Sequence, residues 1–175
     1  MRKVKAYLWL LFVVLCVTSF TAKPKEQINW LSMEEMQAAY KKEPRPLLID
    51  LYTNWCGWCK EMDRTTYKNA KVVSYINSQY YAVKFDAESK QEVLFDNKLF
   101  SYNTQIKAND LAMFLSFGQM EFPTTVFLTS PQASPAPLPG YLNAKEMEAP
   151  LKYFAEANIS KESFVDFNKK FKNAW

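Results

Sequence analysis

Histidine is absent from this chain. That absence excludes Ser-His-Asp and Cys-His catalysis and any histidine-ligated metal. A strong excess of one charge is also missing. Of the 22 basic residues, Arg2, Lys3 and Lys5 lie in the first 21 positions, which leaves 19 against 18 acidic residues, a net of +1. A nearly neutral chain offers no electrostatic case for nucleic acid or an anionic membrane surface. Cysteine is scarce: there are three, and only Cys56 and Cys59 lie beyond the N-terminal leader. A metal site would be short of ligands, because zinc normally takes four and there is no second C-x-x-C. No internal repeat is visible.

What is present suffices for one packed domain. The chain has 175 residues, 49% hydrophobic and 16% aromatic, enough for one core and short for two. Residues 1–21 read as a secretory signal peptide. A basic n-region is followed by an apolar run over residues 6–17, the length of an h-region and short of a full membrane span. Ser19 and Thr21 are small residues ahead of a possible cut before Ala22. The alternative is an uncleaved N-terminal anchor. Cys16 follows Val14-Leu15 rather than the small residue that normally precedes a lipidated cysteine, so it reads as an apolar leader residue. Export, to the periplasm if the source is bacterial, places the remaining cysteines in an oxidising compartment. There a lone pair is either a staple or a working redox couple.

A polar linker over residues 22–28 leads into one domain over residues 29–175. Ser32 and Glu35 have capping-box spacing and predict a helix to about Lys42. The apolar run 47–52 predicts a buried strand. A helix is expected from the cysteines to about Tyr67, another over 71–78, and a strand over 81–85. Val93-Leu94-Phe95 and Leu99-Phe100 flank Asp96-Asn97-Lys98, a hairpin pattern. Asn109 can cap a helix ended by Gly118. A strand over 124–129, a turn-rich loop over 131–139 and a short last strand over 140–142 follow. A helix from Asn143 to about Ala157 and a final helix after Ser160 complete the pattern, the latter with Phe164, Phe167, Phe171 and Trp175 on one stripe. Strands alternating with helices predict an α/β fold with a mixed central sheet.

The cysteines form the motif Trp55-Cys56-Gly57-Trp58-Cys59-Lys60. It lies where the strand 47–52 gives way to a helix, at the strand end where α/β sites lie. Two thiols at this spacing can close and reopen a small disulfide ring. A thiol at the helix N-terminus is favoured as thiolate, the species that attacks a disulfide. Cys56 is therefore the candidate attacking thiol, at an exposed helix start, and Cys59 the resolving thiol a turn further in. A four-residue ring would stabilise weakly as a staple. Asp50 sits inside the apolar run Leu47-Leu48-Ile49-Asp50-Leu51-Tyr52, where desolvation should raise its pKa. A strand-end carboxylate facing water is the alternative.

The segments 48–60 and Phe122-Pro123-Thr124-Thr125-Val126-Phe127 together resemble the thioredoxin superfamily. They match its strand, active-site turn and helix start, and its cis-proline loop with the following strand. The resemblance covers most of residues 30–157 and is nearest to exported bacterial thioredoxin-like proteins with an insertion before the cis-proline. It implies a thioredoxin-like fold, here with an inserted hairpin and helix over 88–120 and an extra C-terminal helix. It also implies Asp50 behind the cysteine pair as proton acceptor for Cys59, and Pro123 as a cis-proline facing the disulfide. The backbone of Phe122 would pair with an extended substrate segment, a small case of β-addition. Trp55, Gly57 and Trp58 would form the rim that partners touch. The insertion either extends the core or shapes the partner surface, and its Leu, Phe and Met content favours the core.

The expected function is an exported thiol–disulfide oxidoreductase, a monomer without cofactor or metal, acting on protein thiols and disulfides and supplied by a membrane-linked electron donor. Reductase is favoured over oxidant, because no histidine is present to stabilise the Cys56 thiolate. A thioredoxin-fold binding module or chaperone with a structural disulfide is the other reading.

Overall fold

The computed structural model describes residues 26–156 and 162–175. The leader over 1–21, most of the linker and Ser160 lie outside the described residues. The first elements are β1 (Trp30–Leu31), α1 (Met33–Lys42) and β2 (Leu47–Tyr52). Next come α2 (Gly57–Arg64), a 3₁₀ turn (Thr66–Lys68), α3 (Ala70–Gln79) and β3 (Tyr81–Asp86). The insertion contributes β4 (Val93–Phe95), β5 (Lys98–Phe100), β6 (Tyr102–Asn103), β7 (Ala108–Asn109) and α4 (Asp110–Leu115). The chain closes with β8 (Thr124–Leu128), β9 (Ala136–Pro139), α5 (Ala144–Glu156) and α6 (Phe164–Lys170).

The main sheet runs β1-β3-β2-β8-β9. The first three strands are parallel, and β8 and β9 are antiparallel additions. This is the expected mixed α/β sheet, and it explains why β2 is apolar on both faces. Alternation along β2 sends Leu47, Ile49 and Leu51 to one core layer and Leu48 to the other. The first layer holds Met36 of α1 together with Phe95, Leu111 and Leu115 of the insertion. The second holds Met62, Tyr67, Val72, Ile76, Met147 and Leu151. The insertion thus extends the core on the α1 side. Its hairpin turns through Asp96 and Asn97, both at positive φ. Short polar side chains tolerate that conformation, and it suits a two-residue hairpin loop. Lys98 consequently belongs to β5 and not to the turn.

Helix starts follow their caps. Ser32 and Glu35 close the reciprocal capping box, Asn69 caps α3 and Asn109 caps α4. Three expectations need correction. The cysteine helix stops at Arg64, and the residues to Lys68 tighten into a 3₁₀ turn. The last sheet strand is Ala136–Pro139, inside the segment expected to be loop, while residues 140–142 follow it. Prolines disguised it, and they fit because β9 is an edge strand. Finally, α6 begins at its Ser163 cap and Phe171 ends it. Trp175 is therefore off the helical stripe and meets the Tyr75 ring at 5.6 Å.

The C-terminal segment is held by a buried carboxylate. Glu148 of α5 is fully buried, pairs with Lys152 Nζ at 2.7 Å, and accepts the main-chain N–H groups of Ala174 (2.7 Å) and Trp175 (3.0 Å). Burial pushes its pKa up, but Lys152 and the backbone donors outweigh it and hold it below the ordinary value. The stability this supplies is present above the usual carboxylate range and is lost as pH falls through it. Glu148→Ala should cost about 1–3 kcal/mol at pH 7, with the difference shrinking in acid. Urea denaturation at both pH values measures this, and equal midpoints at pH 7 would show that the clasp adds nothing.

Candidate active site

The site begins where β2 ends. Tyr52 completes the strand, residues 53–55 turn, and Cys56 is the N-cap of α2. Cys56 N–H donates to Thr53 O at 3.2 Å, which fixes the turn. The end of β3 and the loop after it hold the turn from the side. Ala87 N–H donates to Tyr52 O at 2.9 Å. Asp86 Oδ2 accepts from Asn54 Nδ2 at 3.0 Å, and Glu88 Oε1 accepts from Trp55 Nε1 at 2.9 Å.

Cys56 and Cys59 form a disulfide with Cα atoms 5.3 Å apart. Cys56 Sγ also accepts the Cys59 backbone N–H at 3.0 Å, so an otherwise orphaned helix-terminal donor points at the candidate attacking sulfur. The expected contrast in exposure is not found. Both cysteines are 4% exposed, because the capping geometry turns the Cys56 side chain back onto the helix. The distinction between them is helix position. Trp55 and Trp58 on either side are 66% and 63% exposed.

Phe122 and Pro123 flank the same end of the sheet. Leu51 pairs with Thr124 in the β2–β8 register, which carries Pro123 alongside the end of β2. The Phe122–Pro123 peptide is cis, Pro123 is buried, and the Phe122 ring meets Trp55 edge-on at 6.0 Å. Trp58 leans on Tyr141 at 5.5 Å. With Gly57 and Glu61 they line a shallow depression of about 550 Å³. A Cβ on Gly57 would meet nothing within 4 Å, so that glycine leaves the surface beside Trp58 open. Tyr141 and Glu88 escaped sequence reasoning. Each is far along the chain from the motif, and nothing local marks it.

Asp50 is 2% exposed, so the water-facing alternative is set aside. Alternation puts it on the Leu48 face, under α2 and the 3₁₀ turn. Lys84 is its β3 register partner, with Nζ 3.2 Å from Asp50 Oδ2. The same ammonium donates to Asp63 Oδ1. It lies 5.0 Å from the Tyr52 ring centre and 5.4 Å from that of Trp30. Tyr67 Oη donates to Asp50 Oδ1 at 3.4 Å. Burial raises Asp50 from 3.8 to about 6, with Lys84 opposing the rise. For Lys84, burial works against the charge, but Asp50 and Asp63 outweigh it and hold the pKa above its ordinary value. Sequence reasoning missed both partners. Lys84 interrupts an apolar strand and Asp63 lies one helical turn past Cys59, signals that acquire meaning only once β2 and β3 are paired. Among the described residues no group of three or more Cys, Asp or Glu could hold a metal ion, and no helix is long and apolar enough to cross a membrane.

A mixed sheet of this order, with a cysteine pair capping the helix after its central strand, defines a thioredoxin-type fold. Residues 33–155 match the thioredoxin-like domain family, and the chain belongs to it. The thiol:disulfide interchange protein DsbD of Pectobacterium atrosepticum is 24% identical over 127 residues, covering 71% of this chain and 19% of that protein. The chain thus spans about a fifth of the length of the curated relatives it matches. Among solved structures, the oxidoreductase DsbH superposes with a TM-score of 0.54 at 14% identity, covering 80% of this chain and 94% of that one. A putative disulphide isomerase from Bacteroides thetaiotaomicron gives 0.53 at 22%, covering 81% and 100%. These likenesses establish the fold.

An acid whose folded pKa is raised stabilises below its unfolded value and loses that contribution as pH rises through the folded one. For Asp50 the window is from 3.8 to about 6. Asp50→Asn removes this dependence. The oxidised variant should gain about 2–3 kcal/mol on the wild type between pH 4 and pH 8, read by urea denaturation. A constant difference across that range would contradict the raised pKa.

Proposed function

We propose that this protein is an exported thiol–disulfide oxidoreductase that reduces disulfides in other proteins. The observation that carries the reading is the Cys56–Cys59 disulfide at the cap of α2, combined with a buried, proton-hungry Asp50 on the strand that leads into it. The distant relatives that are named thiol:disulfide interchange proteins support it.

In the reduced protein the Cys56 thiolate attacks one sulfur of the substrate disulfide. That S–S bond breaks, a substrate thiolate leaves, and a mixed disulfide remains. Cys59 then gives its proton to Asp50 and attacks Cys56 Sγ, which releases the second substrate thiolate. Two electrons pass to the substrate, and the protein is left as the oxidised ring. Trp55, Gly57, Trp58 and Phe122 form the surface on which the substrate segment lies, with Pro123 beside it. A cycle in this direction needs a reductant. For an exported protein that donor would be membrane-linked, and residues 1–21 would serve as the signal peptide or anchor.

Insulin reduction with dithiothreitol, comparing wild type with Cys56→Ser, tests the reading. Wild type should accelerate precipitation, the variant should not, and iodoacetamide should label Cys56 before Cys59 in the reduced protein. Equal rates in the two proteins would leave the disulfide structural and promote the binding-module alternative.

Direction is tested separately. Without an imidazolium to stabilise the Cys56 thiolate, the reduction potential should fall at roughly −200 to −270 mV. Equilibration against glutathione measures it, and a value near −120 mV would assign an oxidant instead.

A further inference from the structure

Asp63 has no place in the exchange just described, yet it is built into the charge cluster beneath it. Asp50 lies on β2 between β3 and β8, where Thr125 is its register partner, under α2 and the 3₁₀ turn. The charged and titratable groups turned toward this cluster are Lys84 from β3, Asp63 from α2, Tyr67 from the 3₁₀ turn and Tyr52 from β2, with Lys68 of the 3₁₀ turn on the outer pocket beside Asp63. Lys84 ion-pairs with Asp50 and hydrogen-bonds Asp63. Tyr67 donates to Asp50 and shares a 3.4 Å contact with Thr125 Oγ1 of β8. One ammonium therefore answers two carboxylates, one buried and one 45% exposed along its side chain. A pocket of about 290 Å³ lined by Trp30, Asp63, Tyr67, Lys68 and Lys84 opens on the outer side of this pair. Asp50 stays behind it.

We propose, resting on the reading of Cys56–Cys59 as a working redox pair, that Asp63 is a positioning residue: by sharing Lys84 with Asp50 it keeps the buried carboxylate short of a full counter-charge and able to receive the Cys59 proton.

Asp63 acts on Asp50 in two ways of the same sign. The negative charge of Asp63 disfavours a second negative charge at Asp50. Asp63 also draws the Lys84 ammonium outward, weakening the attraction that would otherwise hold Asp50 ionised. A buried carboxylate fully paired with its own lysine would be a poor base. Half-paired, it retains affinity for a proton near neutral pH, where a general base is useful. The raised pKa of Asp50 and the opposing effects of Lys84 and Asp63 on it agree with this direction.

The test follows Asp50 directly. Carboxyl carbon NMR of the oxidised protein gives its titration midpoint in wild type and in Asp63→Asn, Asp63→Glu and Lys84→Gln. Asp63→Asn should lower the midpoint by about one pH unit, the size expected when an ion pair strengthens. Asp63→Glu should restore it. Lys84→Gln, which removes the shared cation, should move it upward. In the reduced protein, the acid limb of the pH–rate profile for insulin reduction should follow the Asp63→Asn shift. An Asp50 midpoint that is unmoved or raised in Asp63→Asn overturns the proposal, as does a lowered one in Lys84→Gln. The titration uses the oxidised protein, in which no exchange occurs. Failure of wild type to reduce insulin would overturn the redox reading and the proton-transfer half of this one, leaving the titration unaffected.

Discussion

A carboxylate in the middle of a strand buried on both faces must be answered locally, because an unpaired charge there would cost several kcal/mol. Asp50 imposes that requirement on everything around it. β3 has to run beside β2 in the one register that sets Lys84 against Asp50. The chain after α2 has to tighten so that Tyr67 reaches inward from the 3₁₀ turn. The aromatic rings of Trp30 and Tyr52 stand against Lys84, a setting that favours a cation over neutral lysine. Tyr67 links this polar cluster to the second core layer, which it shares with Met62 and Val72.

The cysteine turn is fixed from two directions. Its own helix supplies the Cys59 N–H to Cys56 Sγ. Asp86 at the end of β3 and Glu88 in the loop after it supply acceptors for Asn54 and Trp55. That loop is in turn fastened by the insertion: Asn109 N–H donates to Ala87 O at 2.7 Å, and its side chain donates to Ser89 O and Gln91 O. The insertion thus does more than enlarge the core. Buried Leu111 and Leu115 anchor α4, whose N-cap Asn109 braces the loop beside the cysteine turn, so the turn rests on packed supports.

Much of this was legible in the chain itself. Local signals are short-range and additive, so the Ser32–Glu35 box, the Asn109 cap, the apolar β2 run and the turn at Asp96-Asn97 all declare their elements. The cysteine motif and the buried acid upstream of it were visible for the same reason. What stayed hidden depends on pairing across the fold. Lys84 alone reads as a solvated residue in a strand, and only its register with Asp50 makes it a counter-ion. Asp63 reads as helix surface until Lys84 arrives. Glu148 looked like any helix acid because its partners at residues 174 and 175 come from the far end of the chain. β9 was missed because proline is a poor strand former, and its edge position, which excuses the prolines, is not written in sequence.

The same edge strand has a consequence for a protein whose proposed substrates are other chains. Along β9, Gly140 N–H turns inward to Pro123 O at 2.8 Å, so residues of opposite parity, Pro137 and Pro139, direct their missing N–H positions toward solvent. The open side of the sheet therefore offers a visiting strand no amide donor at these two positions. A visiting strand meets carbonyl acceptors there but no answering donors at Pro137 and Pro139, which weakens any extension of the sheet along this edge.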